Sequence, residues 1–450
     1  MTGAETAHDG TAQRTTAPGG AATRKDAGIQ GVNPGQRFVF ITLWRLNDWG
    51  FYKRRHEALA TEFARRDCVE GVIHVEHVSL KGVISLMNRW LREKNRSLKN
   101  MYAYHVKKSL SFGPISVRHL PKLYIYSVVL PFAGRKGIPE RVNTFFRRLQ
   151  YRAINKHLEK IKGKRVLIAY PPSKNLPEAL DCIDHDLLIA DLVDDNTKRT
   201  GDVQERMRAV ESYKKILPRC SWIFATSASF NGEYRSYSDR KIEFLPNGVD
   251  LRDFAEDTRK KAAKSSGRKV AGYIGIINRE FDFALLEHIL LCHPEANFDI
   301  IGRVTDDSLK AMALLSKRYR NLHHVGEKSH DEIPDCIATW DVLMNLKKAD
   351  HTTAGGESIK IYEYLATGKP IVSTPVPPAD RFTDLMYVAS DKTRFAEVLT
   401  LALEEDDPEL RKSRVRTAME NSWEKRAGVI LDKVSELFGI SGPRLYSETR

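Results

Sequence analysis

Short apolar runs recur along the chain, separated by stretches whose apolar residues return every three to four positions. The first run, Arg37–Trp44 (RFVFITLW), is apolar on nearly every residue, as a strand covered on both faces must be. Arg54–Arg66 then sets Leu59 and Phe63 on one helical face. Further strand-like runs are Gly71–Val78, Leu123–Leu130, Arg165–Tyr170, Asp186–Leu192, Trp222–Thr226 and Ile242–Leu245. The pattern restarts with Lys269–Ile276 (KVAGYIGI) and continues through Asn297–Ile301, Asn321–Val325, Val342–Leu346, Pro370–Thr374 and Leu385–Val388. Helical spacing between those runs falls at Leu285–Cys292, Leu309–Tyr319 and Ile359–Ala366. Strands alternating with helices predict parallel α/β sheets, and the restart predicts two such domains in succession. The expected division is a tail at 1–36, a first domain at 37–250, a second at 251–407, and a helical segment at 408–450 that packs back on the first. Lys260–Lys269 (KKAAKSSGRK), with Pro246-Asn247-Gly248 shortly before it, reads as the linker.

Composition narrows the classes without changing this picture. The chain has 450 residues, 42% of them hydrophobic and 29% charged, which excludes a fibrous or wholly disordered protein. No run approaches the roughly 18 apolar residues of a membrane span, and residues 1–37 lack the apolar core of a secretory signal. Five dispersed cysteines form no CxxC pair, so neither a disulfide framework nor a cysteine metal site is expected. A reducing, cytoplasmic setting fits.

Charge does change the picture. The formal net charge is +14, yet Lys81–Arg165 alone holds 21 Lys and Arg against three acids, leaving the rest slightly acidic. Within it, Val83, Ile84, Met87, Trp90 and Leu91 recur at helical spacing among Arg89, Arg92, Lys94, Arg96 and Lys99. A second stretch sets Val142, Phe145, Phe146 and Leu149 beside Arg141, Arg147, Arg148 and Arg152. Basic helices carrying aromatic residues are expected on anionic membrane surfaces. On that reading Arg89, Trp90, Arg92, Phe145, Phe146, Arg147 and Arg148 face lipid. Two alternatives are that the stripes face the domain's own core, or that the segment binds nucleic acid. The last lacks any zinc-knuckle, GxxG or RRM signature, and no nucleic-acid partner is expected.

Candidate chemistry concentrates in two places. In Glu357–Thr374 (ESIKIYEYLATGKPIVST), Ser358 can cap a helix that Gly368 ends before the strand opened by Pro370. Lys360 and Glu363 lie three apart, hence on one face of its first turns. A helix N-terminus with an added ammonium suits a diphosphate, and a carboxylate one turn on suits ribose hydroxyls. The plainer alternative is a surface ion pair. In the first domain, Ala190–Asp195 (ADLVDD) ends a buried strand in adjacent acids. Asp194, with Asp195 as fallback, could accept a proton as general base; alternatively the pair caps the following helix.

These segments resemble the GT-B glycosyltransferases of the family 4 type, and among them the subgroup that makes bacterial surface polysaccharides. The resemblance covers about Arg37 to Leu403 and rests on KIYEYLATGKPIVST, Pro246-Asn247-Gly248-Val249-Asp250, Gly272-Tyr273-Ile274-Gly275, Asp299–Gly302 and Asp191–Asp195. It implies two Rossmann-like domains facing a central cleft, with a nucleotide-sugar substrate, a UDP-sugar, and neither cofactor nor metal. It implies that Glu363 holds the donor ribose and Lys360 the diphosphate, with Arg279 and then Arg303 as further basic contacts. A related inverting class carries its base in a place that lines up with Asp194. Leu46–His56 resembles the acceptor-side loop, implying contacts from Asp48, Trp49 and Arg54. One departure stands: family 4 enzymes often carry a second glutamate ahead of the position of Glu363 with seven residues between the two, and Gly355 is there instead. The stereochemistry is therefore open. The function implied is transfer of a hexose or uronic acid to a lipid-linked saccharide at the anionic inner face of the membrane. The alternatives are a nucleotide-sugar 2-epimerase of the same fold and a non-catalytic basic binding or scaffold protein.

Overall fold

The computed structural model describes residues 36–111, 113–132, 140–199, 202–254, 267–350 and 356–440. The expected tail, apart from residue 36, and most of the Lys260–Lys269 linker lie outside these residues. Among the described residues there are two sheets. The first contains β1 (Phe38–Leu43), β2 (Val69–Ser79), β3 (Ile115–Val117), β4 (Leu120–Leu130), β5 (Lys164–Ala169), β6 (Leu187–Leu192), β7 (Trp222–Ala225) and β8 (Ile242–Phe244). Their order is β3-β4-β2-β1-β5-β6-β7-β8, parallel except for the β3–β4 hairpin. The second contains β9 (Val270–Ile274), β10 (Asn297–Ile301), β11 (Leu322–Gly326), β12 (Val342–Asn345), β13 (Ile371–Ser373) and β14 (Tyr387–Val388), in the order β11-β10-β9-β12-β13-β14, all parallel.

The apolar runs are continuous because each sheet is covered twice. In β1, Val39, Ile41 and Leu43 enter one core, while Phe38 and Phe40 enter the other. Phe40 stacks on Phe63 of α1 (Arg55–Ala64), the ring centroids 4.1 Å apart. β3 went unpredicted because its three residues pair only with the edge of β4 and carry no periodicity of their own. The expected strand Leu385–Val388 is shorter, since the N–H groups of Leu385 and Met386 turn back to the Phe382 carbonyl.

The basic segment supplies α2 (Leu80–Arg92), α3 (Arg96–Leu110) and α4 (Glu140–Leu158). Ser79 caps α2 by accepting from the Gly82 N–H, and Asn95 caps α3 by accepting from those of Ser97 and Leu98. One expectation here is corrected. Arg147 does not face outward: it is 5% exposed and pairs with Glu140 and Glu178 across the inner side of α4. An interior guanidinium between two carboxylates meets the requirement that buried charge be paired. No described helix is long and apolar enough to cross a membrane.

The C-terminal segment divides. The helix Pro408–Glu420 stays on the second domain against Ile359–Thr367, with buried Arg414 bonded to the Leu385 carbonyl and paired with Glu405. Only Trp423–Leu437 returns, placing Trp423, Ala427, Ile430, Leu431 and Val434 in the first domain's core. The chain thus crosses between domains at 246–249 and again at 421–423, and the crossings touch. Val249 N–H donates to Asn421 O and Trp423 N–H to Val249 O, at 3.1 and 3.0 Å. A Cβ on Gly248 would lie 2.8 Å from Asn421 O, so this approach requires glycine.

Candidate active site

Parallel strands point their carboxyl ends one way, so the loops after them gather on one side of each sheet. Here the two gatherings face each other across a cleft of about 330 Å³. The first domain lines it with Trp44, Phe51, Tyr52, Arg54 and Arg55 after β1, and with Val193 and Asp194 after β6. The second adds loops after β9 to β12 and the start of the helix Ile359–Thr367.

That helix start is open. Ser358 occupies the cap position, but its side chain makes no capping bond, contrary to expectation; it is 9% exposed and lies in the cleft wall. First-turn N–H groups left without a side-chain acceptor give a helix its affinity for anions. Lys360 stands in the same turn. It lines the cleft, while Nζ is shut off from solvent, lacks a hydrogen-bond partner among the described residues, and lies 4.0 Å from the Tyr273 ring centroid. Burial pulls the Lys360 ammonium well below its ordinary pKa, and Lys347 nearby pulls the same way. Arg303 lines the cleft as well, its Nε buried and without a hydrogen-bond partner among the described residues. Between the two cations run Gly275 and Gly302. A Cβ at Gly302 (φ +143°) would overlap Gly275 O, and the backbones meet there as only glycine permits.

Glu363 follows one turn on and lines the cleft beside Lys360. His330 approaches it, with Nε2 3.8 Å from Glu363 Oε1, and lies 3.9 Å from Asp253 on its other side. Burial lowers His330, and the Glu363 carboxylate outweighs it, so the imidazole sits above its ordinary pKa. Among the described residues no group of three or more His, Cys, Asp and Glu is placed to hold a metal ion.

This geometry agrees with what the chain is similar to. No family model matches it. Over 148 residues it is 29% identical to a protein of Bacillus subtilis (strain 168) whose name proposes a teichuronic acid biosynthesis glycosyltransferase, TuaH. That stretch is 31% of this chain and 36% of the relative, so the chain matches about a third of that relative's length. Sucrose-phosphate synthase from Thermosynechococcus elongatus superposes with a TM-score of 0.62 at 13% identity, over 90% of this chain and all of that one. Anabaena HepE in complex with UDP gives 0.58 at 12%, over 89% of this chain and all of that one. α,α-Trehalose 6-phosphate synthase from Burkholderia multivorans gives 0.58 at 10%, over 90% and 99%.

The fold is GT-B.

Within the GT-B cleft the residues expected from sequence separate into two groups. Lys360, Glu363, Ser358, Arg303, Arg54 and Asp194 line it. Arg279, placed ahead of Arg303 by the resemblance, is exposed and absent from the lining; the turn after β9 carries it outward beside Asp307. Trp49 is 5% exposed, packed near His74 with its N–H on Glu76, so it belongs to the core and not to an acceptor surface. Asp48 is similarly withdrawn, accepting from Trp44 Nε1 at 2.7 Å and paired with Arg54 at 3.3 Å; burial raises its pKa. Asp195, the fallback base, is fully buried and bonded to the Thr197 N–H and hydroxyl and to the Tyr234 hydroxyl. The capping alternative describes Asp195. Asp194 instead meets the other domain, its backbone bridging to Gly356.

Sequence reasoning missed His330, Glu327, Tyr52 and Arg55, all in the cleft wall. His330 had a usable signal: it lies four residues past the end of β11, inside the Ser329–Glu332 capping box, where strand-end chemistry collects. Lys360 carries a pH prediction. An anion bound at Nζ must raise its pKa from the depressed value, so UDP binding should take up a proton and weaken as pH rises. Calorimetry in buffers of differing ionisation enthalpy should show net uptake, and proton release would contradict the assignment.

Proposed function

We propose that the protein is a glycosyltransferase that moves a sugar, a hexose or uronic acid, from a UDP-sugar donor to a lipid-linked saccharide acceptor. The observation that carries this is Lys360 Nζ: a buried amine without a hydrogen-bond partner among the described residues, at an uncapped helix start beside two glycine turns. Burying such a group is costly unless a ligand pairs with it, and a scaffold that had lost its chemistry would have no reason to keep it. A diphosphate fits that position and Arg303. The ribose fits Glu363. Fold relatives are described with UDP and with UDP-glucose, which supports a uridine donor. Lys360, Arg303 and the helix N-terminus would stabilise the leaving diphosphate as charge develops on it.

Asp194 is the carboxylate that the first domain contributes to the cleft lining, whereas Glu280, Glu327, Glu357 and Glu363 come from the second. It therefore faces the donor from the acceptor side and is assigned the acceptor hydroxyl's proton. Phe51 and Tyr52, half-buried in the cleft wall, offer ring surface for acceptor sugars. We read its place of action as the anionic inner face of the membrane, in surface-polysaccharide synthesis, a reading that the basic segment supports.

Two variants test the division of roles. Glu363→Ala should weaken UDP binding about tenfold or more, the scale of one or two hydrogen bonds to a charged group. Asp194→Asn should leave UDP binding unchanged and lower kcat by about 10²–10⁴-fold, the range of a lost general base. Calorimetric titration with UDP, paired with turnover of a UDP-sugar panel, reads both. Unchanged UDP affinity in Glu363→Ala would remove the ribose assignment.

A further inference from the structure

The basic segment's apolar residues do not face the core. Along α2 only Val83 is buried, while Leu80, Ile84, Met87 and Leu91 are 37, 51, 37 and 65% exposed. They fall at i, i+4, i+7 and i+11, one stripe on the outer side of the helix. On α4, Phe145 and Leu149 are 64 and 54% exposed beside Phe146, while Tyr151, Ile154 and Leu158 take the inner side. The stripes are neighbours. β2 and β4 run parallel with Ser79 opposite Leu130, and α2 starts at the next residue after Ser79. Two residues past Leu130, Phe132 lies 6.4 Å from Phe146 and bonds through its N–H to Asn143 of α4. Both stripes thus rise from the same carboxyl edge of the sheet. Lys81, Arg89, Arg92, Lys94, Arg96 and Lys99 are exposed on or just after α2, and Arg141, Arg148 and Arg152 on α4. Other exposed apolar residues, such as Leu314 or the pair Val203 and Met207, form no stripe as long as that of α2.

We propose that α2 and the first half of α4 form one docking face for an anionic lipid bilayer, their apolar stripes entering the acyl boundary and the basic rim meeting the headgroups. Nucleic acid would match the charge but leave the leucines, isoleucine and phenylalanines nothing apolar to enter. A second copy would set one basic rim against another. Anionic lipid satisfies both parts of the face. The face also lies at the mouth of the cleft. α3 packs on α2 and reaches the second domain through Ser97 Oγ to Ser329 Oγ (3.0 Å) and Tyr102 to Glu327 (3.4 Å), while His105 stacks 3.8 Å from cleft-lining Phe51. A lipid-borne acceptor would arrive beside the loop that carries Glu327 and His330. This last point rests on the transfer reading of the cleft; docking does not.

Flotation of the full chain tests it, using phosphatidylcholine vesicles with and without one-third phosphatidylglycerol. The protein should float with the anionic vesicles only, and less at high salt. The pairs Ile84→Glu with Leu91→Glu, and Phe145→Glu with Leu149→Glu, should each cut the bound fraction at least about tenfold. Leu314→Glu, on an equally exposed leucine of the second domain, should float like the parent. Thermal melting shows that each variant is folded, and a UDP-induced shift in melting reports the cleft separately. Flotation without a UDP shift would keep the docking face and remove the donor reading. Equal binding to neutral vesicles, none to either, or an equal loss in Leu314→Glu overturns the proposal. So would concentration-dependent dimers abolished by the α2 pair, or co-purifying nucleic acid released by salt.

Discussion

Replacing Lys360 by methionine should abolish useful donor binding while making the ligand-free protein more stable. The two effects have one cause. Nζ is buried without a hydrogen-bond partner among the described residues, and burial already drives it toward the neutral form. Methionine keeps the length and removes the desolvated nitrogen, so the melting temperature of the free protein should rise, by about 2–4 °C for each kcal/mol relieved. With donor present the sign reverses. A lost charged donor to a developing diphosphate costs about 10²–10³-fold in kcat, and the UDP-induced rise in melting temperature should disappear. Differential scanning calorimetry with and without UDP reads both arms. A variant that melts lower and still responds to UDP would show that Lys360 is only a structural cation.

The largest structural effect is expected at Arg55. Its Nε bonds to both oxygens of Asp191, at 3.0 and 2.8 Å, and one terminal nitrogen reaches the Pro246 carbonyl at 2.8 Å. The two side chains are 1 and 0% exposed. Arg55 therefore ties α1, the end of β6 and the first interdomain crossing together. Arg55→Met leaves the Asp191 carboxylate buried alone, and breaking such a pair costs about 3–5 kcal/mol. The deficit should depend on pH. Burial raises the Asp191 carboxyl to about 6 even though Arg55 opposes the rise. Without Arg55 it climbs further, so the folded variant holds its proton where the unfolded chain, near the ordinary 3.8, has released it. Below about pH 6 parent and variant both hold that proton when folded, so the variant's deficit is constant there and widens only as pH rises above 6. Urea melts at pH 5 and pH 8 check the sign, and Arg55→Met with Asp191→Leu should recover much of the loss. A deficit independent of pH would place the cost in packing instead.

The shared position of Lys360 and Glu363 in the cleft wall was legible because their geometry is local. Lys360 and Glu363 share a helical turn, and three residues of spacing suffice to put them on one face. The first domain's share of the cleft was not, because burial decides it. Asp194 and Asp195 are adjacent in sequence, yet one lines the cleft and the other is locked under Thr197 and Tyr234. Strand ends send consecutive side chains to opposite sides, and no pattern in six residues tells which side is the cleft. Trp49 and Asp48 were misplaced for a related reason. Their backbone N–H groups bond to Glu76, which Lys108 pairs from α3 at 2.5 Å, so the loop folds inward on a charge supplied 28 and 27 residues later. Arg279 and Arg303 exchanged rank because the turn after β9 opens outward, while Gly302 holds the Arg303 turn against Gly275.

The order of elements, the two α/β domains and the concentration of positive charge in one segment follow from the sequence alone. Hydrophobic periodicity and charge are properties of neighbours along the chain, and they survive without knowledge of the fold. The direction in which that charge faces does not follow from it. Arg147 and Phe145 lie two residues apart on α4, and only packing turned the arginine inward to Glu140 and Glu178 and left the phenylalanine in solvent. The same holds for the cleft. Lys360, Arg303, Asp194 and His330 become one site only when two sheets bring their carboxyl ends together, and the touching crossings at Gly248 and Ser422 hold the domains in that relation.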